Sequence, residues 1–158
     1  VLDLCSGSGA IAIAIKLKTG AIVTASDISE KAVSLAKENA QKLNADITII
    51  ESDMFENIDG KFDLIVSNPP YIRTGDIQNL QKEISFEPLS ALDGGEDGLD
   101  FYRILASEAK AHLNENGVMF LEFGVGQKEA LIDLFKDFSK VEVIVDSFGN
   151  DRILRVES

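Results

Sequence analysis

The sequence predicts an α/β domain: a mostly parallel sheet covered by helices on both faces. Three observations carry this. Short apolar runs alternate with segments of helical spacing along the whole chain. Three of those runs stop at polar or glycine-rich turns, at Cys5–Gly9, at Asp27 and at Asn68-Pro69-Pro70. The last two runs are joined by a link too short for a crossover, so they should pair antiparallel.

The elements follow in order. Val1–Leu4 reads as a buried strand, and a helix follows from about Gly9 to Lys18, ended by Thr19-Gly20. Ala21–Ser26 is a second strand, closed by Asp27. Ser29 is a good N-cap for a helix to about Leu43, with Ala32, Leu35, Ala36, Ala40 and Leu43 at helical spacing. Asp46–Ile50 and Phe62–Val66 are the third and fourth strands. The fourth ends at two prolines, which supply no backbone donors. Residues 72–96 read as a long loop with one short helix, and such an insert is usually functional or mobile. Asp97–Leu113 is helical, with Leu99, Tyr102, Leu105, Ala106 and Ala109 facing inward. Asn116-Gly117 turns into a strand Val118–Phe123, a helix spans Gln127–Phe138, and Val141–Asp146 and Arg152–Val156 close the sheet.

The length of 158 residues suits one domain that buries a core without disulfides or metals. The longest apolar run, Ala10–Ile15, is too short to span a bilayer. The single cysteine, Cys5, excludes an internal disulfide and fits a reducing, cytoplasmic compartment. The single histidine, His112, leaves little material for a metal site, and it reads as structural, as do Phe55, Phe62 and Phe86. A net charge of −12 argues against this domain gripping a phosphate backbone and fits a small molecule or a basic protein, though it also serves solubility. Val1 already stands inside an apolar strand, with no Met, no lead-in and no signal-peptide pattern, so the chain reads as a piece of a longer protein.

Three motifs carry chemistry. In Asp3-Leu4-Cys5-Ser6-Gly7-Ser8-Gly9, small residues at a strand end let the backbone approach a ligand, and the next helix offers its N-terminal donors. Asp27, at the end of the next strand, is placed to accept ribose hydroxyls. A tight turn without a ligand is the bland alternative. The same window fits a dinucleotide fingerprint, Gly7-x-Gly9-x-x-Ala12, so NAD remains a competitor. Asp3 weighs against it: a carboxylate there suits an ammonium, directly or through water, better than a pyrophosphate. In Ser52-Asp53-Met54-Phe55, Asp53 could accept from an adenine amino group while Met54 or Phe55 packs on the ring, or the segment is only a solvated loop.

Asn68-Pro69-Pro70-Tyr71 is the most specific motif. An amide or ring amino nitrogen is a poor nucleophile because its lone pair is delocalised. The Asn68 side-chain oxygen and the Pro69 carbonyl can hold both N–H bonds, aim the nitrogen at an electrophilic methyl group and stabilise positive charge as it develops. The prolines make the loop rigid, and Tyr71 offers a flat face. The alternative is a strand-ending turn with Tyr71 in the core. The acids Glu83, Glu87, Asp93, Glu96, Asp97 and Asp100 read either as a solvated flap or as a docking surface for a basic protein.

In this order the motifs resemble the HemK/PrmC family of protein-(glutamine-N5) methyltransferases. The likeness runs through Val1–Ala12, Phe62–Ile72, Glu87–Arg103 and Gly149–Arg152. The Asn-Pro-Pro-Tyr loop is shared with adenine-N6 and guanine-N2 nucleic-acid methyltransferases; the Glu87–Arg103 segment is more particular to this family. The resemblance implies a Rossmann-like, seven-stranded class I methyltransferase sheet with an antiparallel closing strand. It implies S-adenosylmethionine as cofactor and, as partner and substrate, the glutamine of the Gly-Gly-Gln tripeptide of class I peptide-chain release factors. Cofactor contacts would fall on Asp3, Cys5, Ser6, Gly7, Ser8, Gly9, Asp27, Ile28, Asp53, Met54 and Asn68. Asn68, Pro69 and Tyr71 would be catalytic, Asn68, Pro69, Pro70 and Tyr71 would bind substrate, and no metal or membrane is implied. Cys5 stands where the family usually has glycine and Met54 where an aromatic is common, which would lower cofactor affinity. The family's helical N-terminal substrate-recognition domain is absent from this chain, so the piece is expected to bind cofactor yet methylate poorly. Rival expectations are a nucleic-acid amino methyltransferase, a non-catalytic methyltransferase-like partner and a NAD-dependent oxidoreductase.

Overall fold

A computed structural model describes residues 1–79 and 88–158. Among these, seven strands form one sheet: β1 (Leu2–Leu4), β2 (Thr24–Asp27), β3 (Thr48–Glu51), β4 (Phe62–Ser67), β5 (Leu113–Glu122), β6 (Lys140–Val145) and β7 (Asp151–Glu157). Their order is β3-β2-β1-β4-β5-β7-β6. The pairings from β3 across to β5 are parallel. β7 runs antiparallel to both β5 and β6, so the antiparallel strand lies inside the sheet and β6 forms its edge. The expected mostly parallel sheet is thus present. Four α-helices accompany it: α1 (Ala10–Thr19), α2 (Glu30–Lys42), α3 (Asp100–His112) and α4 (Lys128–Leu134). No helix among the described residues is long and apolar enough to cross a membrane.

The two faces of the sheet are packed differently. Leu2, Leu4, Ile65, Met119, Leu121 and Leu154 are buried in one large cluster with Tyr102 and Leu105 of α3 and Leu131 of α4. Smaller clusters around Ala12, Val23 and Ala25, and around Ile13, Ala40 and Ala45, lie with α1 and α2. Alternation along β1 sends Asp3 to the face opposite Leu2 and Leu4. There its Oδ2 accepts the Ala12 N–H of α1 at 2.9 Å. This satisfies a first-turn donor that Gly9, the N-cap, has no side chain to reach.

Several boundaries differ from the sequence reading. β2 starts at Thr24 rather than Ala21. α3 starts at Asp100 rather than Asp97, because Gly98 takes φ +77° and the Asp97 carboxylate accepts the Leu99 N–H at 3.1 Å, a turn rather than a helix. β5 begins at Leu113, and Asn116 (φ +64°) and Gly117 lie within it beside a register shift between Phe62 and Leu64. On α2, Val33, Ala36 and Ala40 are buried as an inner face, whereas Leu35 and Leu43 are 46% and 54% exposed. In the segment 72–96, short 3-10 turns occupy Thr74–Asn79 and Leu89–Ala91, and Ile72 bridges to Asp93.

Gly9 sets the approach of the first two helices. It has φ +76°, and a Cβ there would lie 3.1 Å from the Ala36 Cβ of α2. Gly9→Ala should therefore destabilise the fold by about 1–3 kcal/mol, through strained backbone and overpacking together. The shift in urea midpoint at constant slope measures it.

Candidate active site

Register places the site. Leu4 lies between Ser26 on β2 and Ser67 on β4. The next residue on each strand is Cys5, Asp27 and Asn68, so the three motif-bearing turns leave the sheet side by side at its carboxyl edge. Polar bonds pin them there. The Ser6 N–H donates to the Ser26 carbonyl at 2.9 Å, and the Ser67 hydroxyl donates to the Leu4 carbonyl at 2.9 Å. Asp27 accepts the Gly7 N–H at 2.8 Å on Oδ2 and the Ser29 N–H at 2.9 Å on Oδ1.

A cavity of about 750 Å³ opens over these turns. Of the expected cofactor residues, Cys5, Gly7, Ser8, Asp27, Ile28, Asp53, Met54 and Asn68 line it. Ser6, Gly9 and Asp3 do not. Ser6 and Asp3 lie behind the wall: Ser6 Oγ and Asp3 Oδ1 are buried atoms without a hydrogen-bond partner among the described residues. Gly9 serves helix packing, as its contact with Ala36 requires. The wall also contains residues that the motifs did not point to, chiefly Ala32 and Leu35 of α2, Ser90, Ala91 and Phe101. The helical spacing of Ala32 and Leu35 was legible, but periodicity alone does not separate a core face from a cavity face.

Cys5 and Met54 meet. Cys5 holds φ +57° and Met54 φ +44°, both in the left-handed region, and the Cys5 thiol lies 3.7 Å from Met54 Sδ. Burial, with Asp27 nearby, pushes the Cys5 thiol up to about 12, so it stays protonated and is no nucleophile. His112 stacks on Phe55 with ring centroids 4.6 Å apart, the structural role expected of both. Ser52 donates its hydroxyl to the Met54 carbonyl and accepts the Asn57 N–H, both at 3.0 Å, which shapes the turn carrying Asp53.

The Asn68–Tyr71 loop divides between two spaces. Asn68 and Pro70 line the large cavity. Pro69 is buried. Tyr71 lines an adjoining cleft of about 380 Å³ with Arg73, Asp76, Val125 and Gln127, and its hydroxyl is 3.5 Å from the Glu122 carboxylate. Behind the loop runs the glycine-rich segment 93–100. The Ile72 N–H donates to the Leu92 carbonyl at 3.0 Å, the Gly94 N–H to the Ile72 carbonyl at 2.8 Å and the Thr74 N–H to the Gly95 carbonyl at 2.9 Å. A Cβ on Gly94 would come within 2.8 Å of the Pro70 carbonyl and Tyr71 Cα.

Of the acids read as a flap or a docking surface, Asp93, Asp97 and Asp100 are bonded to neighbouring side chains. Asp93 accepts the Thr74 hydroxyl at 2.7 Å, and Arg103 pairs with Asp97 and, at 2.8 Å, with Asp100. Glu83, Glu87 and Phe86 lie outside the described residues.

Asp3 is 1% exposed, and burial pushes its carboxyl up to about 7 from the ordinary value of 3.8. A carboxyl with a raised folded-state pKa binds its proton more tightly folded than unfolded. Its ionisation therefore costs stability as pH rises from about 4 to about 7, and the cost is complete above that range. Asp3→Asn, which keeps an acceptor for Ala12, should remove a loss on the order of 2–4 kcal/mol between pH 4 and pH 8. Urea unfolding of both proteins across that range measures the difference.

Comparison with known proteins bears out, across nearly the whole chain, the likeness read from the motifs. The chain is 43% identical over 159 residues to the release factor glutamine methyltransferase of Geobacter sulfurreducens, covering 98% of this chain and 56% of that protein. It is 43% identical over 141 residues to the ribosomal protein uL3 glutamine methyltransferase of Francisella tularensis, covering 87% of this chain and 45% of that one. The chain thus spans about half the length of the curated relatives it matches. Among solved structures, a methyltransferase from Pyrococcus furiosus superposes with TM-score 0.76 at 22% identity over 99% of this chain and 73% of its own. The 16S rRNA N2 G1207 methyltransferase of Thermus thermophilus does so with TM-score 0.71 at 20% identity over 99% of this chain and 36% of its own. These likenesses give the sheet its class, the seven-stranded methyltransferase fold. Residues 1–93 match the family model described as the methyltransferase small domain, a span that takes in β1, β2, β4 and the turns leaving them, and the chain belongs to that family.

Proposed function

We propose that residues 1–158 are the S-adenosylmethionine-binding catalytic domain of a protein-glutamine N5-methyltransferase. Its substrate is the glutamine of the Gly-Gly-Gln motif of class I peptide-chain release factors, presented with the help of a domain outside this chain. The observation that carries this reading is the sharing of one cavity by Gly7, Ser8 and Asp27 with Asn68, so that nucleoside-type and amide-type recognition meet. The names of the relatives, which are glutamine methyltransferases, support the choice of amide.

The residues present fit the cofactor. The cavity is within the roughly 300–1,000 Å³ usual for small-molecule sites. Asp27 spends one bond on each oxygen, to Gly7 and Ser29, and each keeps a lone pair for a ribose hydroxyl. Ile28, Leu35 and Met54 give an apolar wall for a purine, with Asp53 as an acceptor at its rim. Asp3 sits behind the loop, and its unpartnered Oδ1 serves an ammonium through a bridging water rather than by direct contact. A cation there also favours the ionised form that burial opposes.

When bound, S-adenosylmethionine supplies an electrophilic methyl group. Asn68 Oδ1 and the Pro69 carbonyl accept the two N–H bonds of the target amide, orient its nitrogen and stabilise its growing positive charge. The proton leaves after transfer, when the nitrogen has become acidic, so no strong base is required of the chain. Tyr71, at the cleft beside Asn68, flanks the planar amide.

Methyl transfer from labelled cofactor by the intact protein tests the reading. Label is expected in release factor and not in release factor whose Gly-Gly-Gln glutamine is replaced. Label in DNA or RNA instead would move the assignment to the nucleic-acid amino methyltransferases. Asn68→Ala should reduce transfer at least 100-fold while cofactor affinity changes only a few-fold, measured by single-turnover assay and calorimetry.

A further inference from the structure

One buried polar side chain outside the motifs holds the acceptor loop from behind. Gln127, 6% exposed, precedes α4. Its Nε2 donates to the Tyr71 carbonyl at 3.0 Å and to the Gly98 carbonyl at 3.0 Å, and its Oε1 accepts the Gly124 N–H at 2.9 Å. The two carbonyls fix which end of the carboxamide faces them, since an oxygen there would meet two acceptors. Three separate segments therefore converge on one carboxamide: the end of the Asn68–Tyr71 loop, the glycine segment behind it and the turn after β5.

Close packing makes the arrangement tight. A Cβ on Gly98 would lie 2.5 Å from the Tyr71 carbonyl and 2.7 Å from Gln127 Nε2. A Cβ on Gly124 would lie 3.0 Å from Tyr71 Cδ2 and 3.2 Å from Gln127 Oε1. The Tyr71 carbonyl is thus held by Gln127 against Gly98, where a Cβ has no room, while its ring packs closely on Gly124. At the other end, β4 and the Ser67–Leu4 bond hold the loop to the sheet. Between these two supports stand Asn68, Pro69 and Pro70.

We propose that Gln127 is a positioning residue for methyl transfer: through the Tyr71 carbonyl it sets the stance of the acceptor loop. The proposal rests on the reading of Asn68–Tyr71 as that loop. Gln127 does not line the cofactor cavity, so its effect should fall on the chemical step and not on cofactor binding. Misplacement of a reacting group by an ångström costs about 100-fold in rate, which sets the scale of the expected loss.

The test uses two variants of the intact protein. Gln127→Met keeps the volume and removes all three bonds. Gln127→Glu keeps the acceptor for Gly124 and, ionised, removes both donors. Both should lower kcat on release factor by about 10- to 100-fold, with cofactor Kd within about 2-fold of wild type. Amide hydrogen exchange should quicken by about 10-fold or more at residues 71–74 and 94–100, and stay unchanged at the Gly7 and Ala12 amides. Unchanged kcat with unchanged exchange would overturn the proposal. So would a general rise in exchange in which cofactor affinity and turnover fall together, since that marks a merely structural side chain. If wild type leaves release factor unlabelled, the functional reading fails; the exchange comparison needs no substrate and still decides whether Gln127 holds the Asn68–Tyr71 loop.

Discussion

The site depends on in-register parallel pairing at one point of the sheet. Leu4 stands level with Ser26 and Ser67, and the three motif-bearing turns begin at the residue after each. Neighbouring strands are about 4.8 Å apart, so a one-residue slip of β4 would withdraw Asn68 from Asp27 and turn its side chains to the other face. The hydroxyl of Ser67 on the Leu4 carbonyl and the Ser6 N–H on the Ser26 carbonyl lock that register where the ladders end. Burial enforces it as well, because Leu2, Leu4 and Ile65 have no exposed surface to give up.

Around this row the protein tolerates local cost. Cys5 and Met54 hold left-handed backbone without being glycine, and Asp3 keeps a carboxyl oxygen buried without a partner among the described residues. A chain selected only for stability would place glycine, or an apolar side chain, at these positions. Their clustering under a single cavity fits a site whose polar groups await a ligand. The back of the Asn68–Tyr71 loop is the opposite case: Gln127 has every polar atom satisfied, and the glycines around it close the gaps.

Much of this was legible in the sequence, for definite reasons. Strands buried on both faces are continuous apolar runs, and their ends are marked by residues that cannot continue them, as at Pro69-Pro70. Ser29 announced α2 and caps it, accepting the Ala32 N–H at 3.4 Å. Other features depend on contacts distant in sequence. Leu35 has the spacing of a core residue but faces the cavity, since nothing in α2 itself says which neighbour its broad apolar stripe will meet. Asp97 looked like a helix start, yet its carboxylate closes a turn on Leu99 and pairs with Arg103. Charge alone does not reveal that Gly94 and Gly98, among the acids of 93–100, pass directly beneath Pro70 and Tyr71. Gln127 belongs to no motif, and only the meeting of three segments gives it a role.

The placement of β7 between β5 and β6 also governs how the fold is reached. β6 precedes β7 in the chain, yet among the described residues it has no partner in the sheet other than β7. The sheet cannot grow in chain order at this end: the β6–β7 hairpin must form first and dock as a unit, or β7 must find β5 while β6 waits. Until then β5 presents a bare row of backbone donors and acceptors. Hairpins close in microseconds, faster than most long-range pairing, which favours the first route. The short turn around Gly149 is what lets that hairpin close locally, before the longer-range pairing of β7 with β5.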